Sequence, residues 1–168
     1  MSATQHGGAD EVDAVVEAWG RARPDLSFDS MEIWSRIARL SGILDGHRRR
    51  AFSGHDVEGW EFDVLAALRR SDPPHRLSPG QLLRETHVTS GTMTNRVDRL
   101  VRRGLVTRES DPNDGRGVLV AITAEGSALV DAAMTELLAL EKELLSDWSP
   151  AERNLLAAML RRLLLASA

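Results

Sequence analysis

The hydrophobic period of this chain changes after Gly104, and that change limits the folds open to it. Leu105-Val106-Thr107-Arg108-Glu109 and Val118-Leu119-Val120-Ala121-Ile122 read as two short strands around a turn-rich tip, Asp111-Pro112-Asn113-Asp114-Gly115. On either side the apolar residues recur at helical spacing. Two strands in an otherwise helical chain form a hairpin, set here between the helix that Gly104 ends and the helix that Thr123 can cap. The fold class is therefore mainly α with a small β-hairpin.

The helix before the hairpin carries the chemistry. Advancing about 100° per residue, Met93, Val97, Leu100 and Val101 fall on one side and Thr92, Asn95, Arg99 and Arg102 on the other. Thr89 or Ser90 supplies an N-cap oxygen. A short helix results, with an apolar back and a front of hydroxyl, amide and guanidinium groups, the side chains that read base edges and phosphates in a major groove. An ordinary solvated amphipathic helix has the same pattern, so its neighbours decide between the two.

Ahead of it, Ser78-Pro79-Gly80-Gln81 is a compact start signal: a cap at Ser78, proline at the first helical position, and Gln81 closing the box. That helix is short and gives way around Thr86–Val88. Two helices joined by a brief turn, the second polar and basic, match a helix-turn-helix, and a hairpin directly after the second is a wing.

The remaining elements are helical. Asp10 to Arg23 can form a helix with Val12, Val15, Val16 and Trp19 on one face, stopped by Pro24. Asp29 or Ser30 caps the next, with Ile33, Ile37, Leu40 and Leu44 as its stripe to about Arg50. Val57 to Arg70 forms a third. After the hairpin a long helix runs to about Asp147. Ser149-Pro150-Ala151-Glu152 then starts a last one, whose Leu155, Leu156, Met159, Leu160, Leu163, Leu164 and Leu165 are too apolar for a monomer's surface.

Length and composition agree with a soluble globular protein. The chain has 168 residues, 42% hydrophobic and 27% charged, enough for one domain with helical extensions. It has no cysteine, which removes disulfides, thiol switches and Cys-containing zinc sites. No apolar run reaches the roughly 18 residues of a membrane span, and the N-terminus lacks a signal peptide's basic and apolar regions. The expectation is a cytoplasmic protein with no membrane partner. A net charge of −4 argues against indiscriminate coating of nucleic acid, but charge is segregated. Arg96, Arg99, Arg102, Arg103 and Arg108 face only Asp98 within their stretch, while acids gather near both chain ends.

These features together resemble the MarR family of transcriptional regulators, winged helix-turn-helix homodimers. The wing carries the most specific part: Asp111-Pro112-Asn113-Asp114-Gly115-Arg116, then Val120-Ala121-Ile122-Thr123-Ala124-Glu125-Gly126. This fits the family's aspartate-x-arginine signature and the threonine-x-x-glycine that opens the following helix. Met93-Thr94-Asn95-Arg96-Val97-Asp98-Arg99-Leu100 and Gly104-Leu105-Val106 fit as well, and the likeness covers about residues 30–166. A narrower similarity is to the urate-responsive branch, whose members add an N-terminal helix and bind ligand through a tryptophan, an aspartate and two arginines. The matching positions are Trp19 in Glu17-Ala18-Trp19-Gly20-Arg21, Asp63 in Trp60-Glu61-Phe62-Asp63-Val64-Leu65, Arg96, and Arg108.

Two jobs follow. For DNA, the wheel turns Asn95, Arg99 and Thr92 outward, with Ser90 near the first turn and Arg102 placed for a phosphate. Arg116 at the wing tip suits a narrow minor groove, and the family pattern implies the same role. Asp114, wrongly charged for DNA, supports the wing by pairing with an arginine or capping the turn. For a ligand, Arg96 lies on the flank of its helix, and Asp63 needs a cation, supplied by Arg96 or Arg108. The alternative is a purely structural salt bridge. Two guanidinium groups and an indole suit a small flat anion, urate or a related purine on the resemblance, a phenolic carboxylate or a tricarboxylate otherwise.

Other classes find less in the sequence. His6, His47, His55, His75 and His87 lack a compact ligand spacing, and nothing resembles a nucleophile elbow or a zinc-hydrolase helix. No catalytic residue, metal or cofactor is expected. The expected organisation is a lead at 1–9, N-terminal helices at 10–56 for dimerisation and the effector pocket, a DNA-binding lobe at 57–123, and dimerisation helices at 124–168. The partners are a palindromic double-stranded operator, a second copy of the chain, and a small anionic effector. A winged helix working only in protein–protein contact is the alternative. It predicts no operator shift and little salt dependence.

Overall fold

The computed structural model describes residues 8–86, 90–112 and 114–166. They divide into two compact units, one ending at Gly46 and the other beginning at His47.

In the first unit, α1 (Glu11–Ala22) starts as its sequence dictates. The Asp10 carboxylate accepts from the amides of Val12 and Asp13, and the Asp13 carboxylate accepts the Asp10 N–H at 2.7 Å. This reciprocal box satisfies donors that a helix start otherwise leaves open. Arg36 of α2 (Asp29–Ser53) binds both capping carboxylates, and Arg39 binds Glu11. The Asp10 carboxyl is held below its ordinary range, chiefly by the Arg36 guanidinium. Trp19 stacks on Phe28 with ring centres 6.1 Å apart. Of the stripe on α2, Ile33, Leu40 and Leu44 are exposed. The helix also outruns the expected stop at Arg50. Ala51 and Phe52 are buried, and their packing carries the last turn past the charged cluster.

The second unit is built on α3 (Gly59–Arg70), which buries every residue from Phe62 to Leu68 except Asp63. Phe62 stacks on Phe52 at 4.3 Å between ring centres. Around them pack α4 (Pro79–Thr86), α5 (Ser90–Arg102) and α6 (Ala124–Leu144), through Leu82, Met93, Val97, Leu100, Val130, Ala133 and Leu137. Ala133 apart, each such side chain fully removed from water contributes about 1.5–3 kcal/mol. A last helix, α7 (Pro150–Ala166), opens with the expected box between Ser149 and Glu152 and buries none of its described residues.

Three antiparallel strands complete this unit in the order β1 (Arg76–Leu77), β3 (Asp114–Ile122), β2 (Val106–Asp111). The hairpin pairs Val106 with Ile122 and Ser110 with Val118, and the register then shifts so that Asp111 faces Asp114. Gly117 sits in that irregularity. A Cβ there would lie 2.9 Å from the Asp111 Cβ and 3.1 Å from the Asp114 Cβ, so Asp114 closes over a position that only glycine fills. Strand β1 has no period signal, because two residues cannot display one. Its partnering of Val120 and Ala121 is visible only in three dimensions.

Candidate nucleic-acid interface

Helices α4 and α5, with residues 87–89 between them, form the helix-turn-helix. At the start of α4 the Gln81 side chain accepts the Ser78 N–H at 2.7 Å and the Ser78 hydroxyl accepts the Gln81 N–H at 3.3 Å. The expected cap of α5 at Thr89 lies outside the described residues. Its C-terminus closes as a Schellman motif. Gly104, at φ +71°, donates to the Val101 carbonyl at 2.9 Å, and Leu105 donates to that of Leu100 at 3.0 Å.

The back of α5 is buried at Met93, Val97 and Leu100, but Val101 is exposed. On the wheel it stands about 80° from Met93, at the margin of the stripe. Thr92, Asn95, Arg99 and Arg102 are all exposed on the front. The side chains of Ser90 and Arg116 lie outside the described set, although their backbones belong to α5 and β3.

Arg96 and Arg99 of α5, and Arg103 just after it, are seated on the start of α3. The Arg99 Nη2 donates to Glu58 Oε1 at 2.5 Å, and its guanidinium lies 4.7 Å from the centre of the Trp60 ring. The guanidinium of Arg96 lies 5.4 Å from the same ring. Arg103 donates to Glu61 Oε2 at 2.6 Å and to the Asp56 carbonyl at 2.8 Å. Glu61 is 1% exposed. Its Oε2 also accepts the Glu58 N–H, while its Oε1 is buried without a partner among the described residues. A buried carboxylate of this kind is tolerated only with a cation beside it, so Arg103 fixes where the end of α5 sits on α3.

The wing is fastened in two places. Arg108 of β2 pairs with Asp98 of α5 at 2.6 Å. Thr123 donates its hydroxyl to the Gly104 carbonyl and its N–H to that of Leu105, while the same hydroxyl caps α6 by accepting from Gly126. The threonine-x-x-glycine signature is thus one clasp joining α5, the wing and α6.

The residues expected to hold a ligand have separate partners. Asp63 pairs with Arg48 at 2.6 Å, not with Arg96 or Arg108. The reason is geometric: Asp63 is the half-exposed position of α3 that faces the last turns of α2, whereas Arg96 and Arg108 are held by Trp60 and Asp98. Trp19 is half exposed in the first unit. Asp63 and Arg48 border a cavity of about 320 Å³ that is also lined by Phe62, Ala66 and Met134 and by a second ion pair, Arg70–Glu85 at 2.6 Å. Arg48 also lies over the Phe52 and Phe62 rings. Among the described residues no group of three His, Asp or Glu side chains could hold a metal ion, and no helix is long and apolar enough to cross a membrane.

Sequence reading missed Arg48, Glu58, Trp60 and the Glu61–Arg103 pair. Glu58 and Arg99 are 41 positions apart, and no period connects them. The one available signal was the density of charge at the start of α3, in Glu58-Gly59-Trp60-Glu61.

A helix-turn-helix with a basic second helix, followed by a clasped β-hairpin, is a winged helix-turn-helix of the DNA-binding class. Comparison with known proteins agrees. The MarR family model matches residues 55–117. The transcriptional regulator PecS of Dickeya dadantii is 34% identical over 152 residues, which cover 90% of this chain and 92% of PecS. A mutant of MarR from E. coli complexed with operator DNA superposes with a TM-score of 0.68 at 28% identity, covering 82% of this chain and 97% of that one. A MarR family regulator from Streptomyces coelicolor gives 0.69 at 30% identity, over 84% and 96% of the two chains. The chain belongs to the MarR family. It is a DNA-binding transcriptional regulator.

Proposed function

We propose that the protein is a homodimeric repressor that a small anion releases from a palindromic operator. The observation that carries the DNA part is the front of α5, where Thr92, Asn95, Arg99 and Arg102 are exposed while Met93, Val97 and Leu100 anchor the back. Asn95 and Arg99 read base edges, by paired bonds to adenine and guanine. Thr92 and Ser90 support them near the first turn, Arg102 binds a phosphate, and Arg116 enters the minor groove beside the wing. Asp114 holds the wing tip.

Dimerisation through residues 10–56 and 124–168 is supported by the apolar surface left on α7, where Leu155, Met159, Leu160, Leu164 and Leu165 are all exposed. Two-fold symmetry would set the two copies of α5 about 34–36 Å apart, one turn of duplex, with residues 57–123 as each DNA-binding lobe.

The effector we favour is urate or a related purine, bound through Trp19, Asp63, Arg96 and Arg108. An anion that captures Arg96 would move it from Trp60 and disturb the helix that reads DNA. A second reading, another small anion such as a phenolic carboxylate or a tricarboxylate, draws support from the cavity beside Arg48 and Asp63, whose lining combines charged side chains with Phe62, Ala66 and Met134. A mobility shift with the wild type, Asp63→Ser and Arg96→Ala, with and without urate, tests the first. Wild-type DNA released by urate and both variants unresponsive is the expected result. An equal response in all three proteins rejects this ligand set.

A further inference from the structure

The carboxylate of Glu58 makes the bonds to Arg99 that a phosphate would make. Its Oε1 accepts from the Arg99 guanidinium at 2.5 Å, and its Oε2 accepts from the Trp60 indole N–H at 2.6 Å. The indole orients the carboxylate while its ring lies beneath the guanidinium, 4.7 Å away. Trp60 thus holds both members of the pair. The same two contacts, the indole first and Arg99 second, keep the Glu58 carboxyl below its ordinary range.

We propose that Glu58 is a specificity-determining residue, an internal stand-in for phosphate that keeps Arg99 off DNA except where the contact offered is better than its own. The proposal rests on the reading that Arg99 faces DNA. On a random sequence, Arg99 could gain a single phosphate bond, which would replace the Glu58 bond and leave that carboxylate bare beside the duplex. Nothing is gained, and Arg99 stays where it is. At a guanine in the correct register the guanidinium gains two bonds in a fixed geometry, enough to outcompete a half-exposed pair of modest strength. Glu58 thereby lowers binding to random DNA more than binding to the operator, and widens the ratio on which a regulator depends.

The test is fluorescence anisotropy of the full-length protein on a random-sequence duplex across a salt series, with wild type, Glu58→Gln, Arg99→Ala and the double variant. Glu58→Gln should bind random DNA about two- to five-fold more tightly, the range expected for releasing an exposed ion pair. Its log–log salt slope should steepen by about one, as one more phosphate is neutralised. Trp60→Phe, which retains a ring but loses the N–H, should move affinity in the same direction by less. In the Arg99→Ala background Glu58→Gln should change neither quantity. Unchanged affinity and slope in Glu58→Gln, or the same gain with Arg99 absent, would overturn the proposal while leaving DNA binding intact. Failure of the wild type to bind any duplex at low salt would instead remove the DNA reading itself, and this proposal with it.

Discussion

The carbonyl oxygen of Leu105 lies 2.2 Å from the place a Cβ on Gly126 would occupy, and Ile122 Cγ1 stands 3.0 Å from the same point. The first turn of α6 is therefore pressed directly on the backbone that leaves α5. Thr123 closes the contact through its bonds to Gly104, Leu105 and Gly126. Because the obstacle is main chain, no rotamer change relieves it.

Gly126→Ala should destabilise the second unit by about 1–3 kcal/mol, the range for forced overpacking. For a chain of this size each kcal/mol lowers Tm by about 2–4 °C. Thermal unfolding followed by circular dichroism measures this, and an unchanged Tm would mean that α6 does not rest on Leu105.

Arg103→Ala leaves Glu61 buried with its main cation gone. A loss of about 3–5 kcal/mol is expected, the cost of removing one partner of a buried ion pair. Changing Glu61 to Gln in the same protein should restore part of it, since a neutral amide costs less to bury. Urea denaturation of the two variants and the wild type decides the matter. Equal stability of all three would show that α5 is not fastened through this pair.

The Asp10 carboxyl lies below its ordinary value of 3.8, chiefly because of Arg36. A lowered carboxyl contributes stability that is fully present above the unfolded pKa and lost as pH falls through the folded one. The protection factors of the α1 amides, which correct for the intrinsic slowing of exchange in acid, should thus fall below about pH 3.8 in the wild type. Asp10→Asn, which retains a capping oxygen but no charge, should have faster exchange at neutral pH and a flatter response to acid. Identical profiles would contradict a role for the Arg36 contact.

Much of this architecture was legible because it is written locally. Caps at Ser78, Thr123 and Ser149 start helices from a few adjacent residues, Gly104 ends one, and the change to a two-residue period marks the wing. The buried back of α5 was legible through Met93, Val97 and Leu100 for the same reason. The partners of the charged residues were not. Asp63 binds Arg48, 15 positions away, and Glu58 binds Arg99, 41 away. Such pairings depend on how α2, α3 and α5 pack, and a helical wheel gives direction without distance. Strand β1 escaped for a related reason, being defined by its neighbour.

The central claim is that the front of α5 recognises a DNA sequence. The most direct measurement is the affinity of the protein for any palindromic sequence found beside its own coding region and for a scrambled duplex of equal composition, for wild type and Asn95→Ala. The account predicts that the wild type prefers the palindrome, and that Asn95→Ala costs about 1–3 kcal/mol there and little on the scrambled duplex. Equal affinity of the wild type for both duplexes, or loss of binding to both in Asn95→Ala, would contradict it.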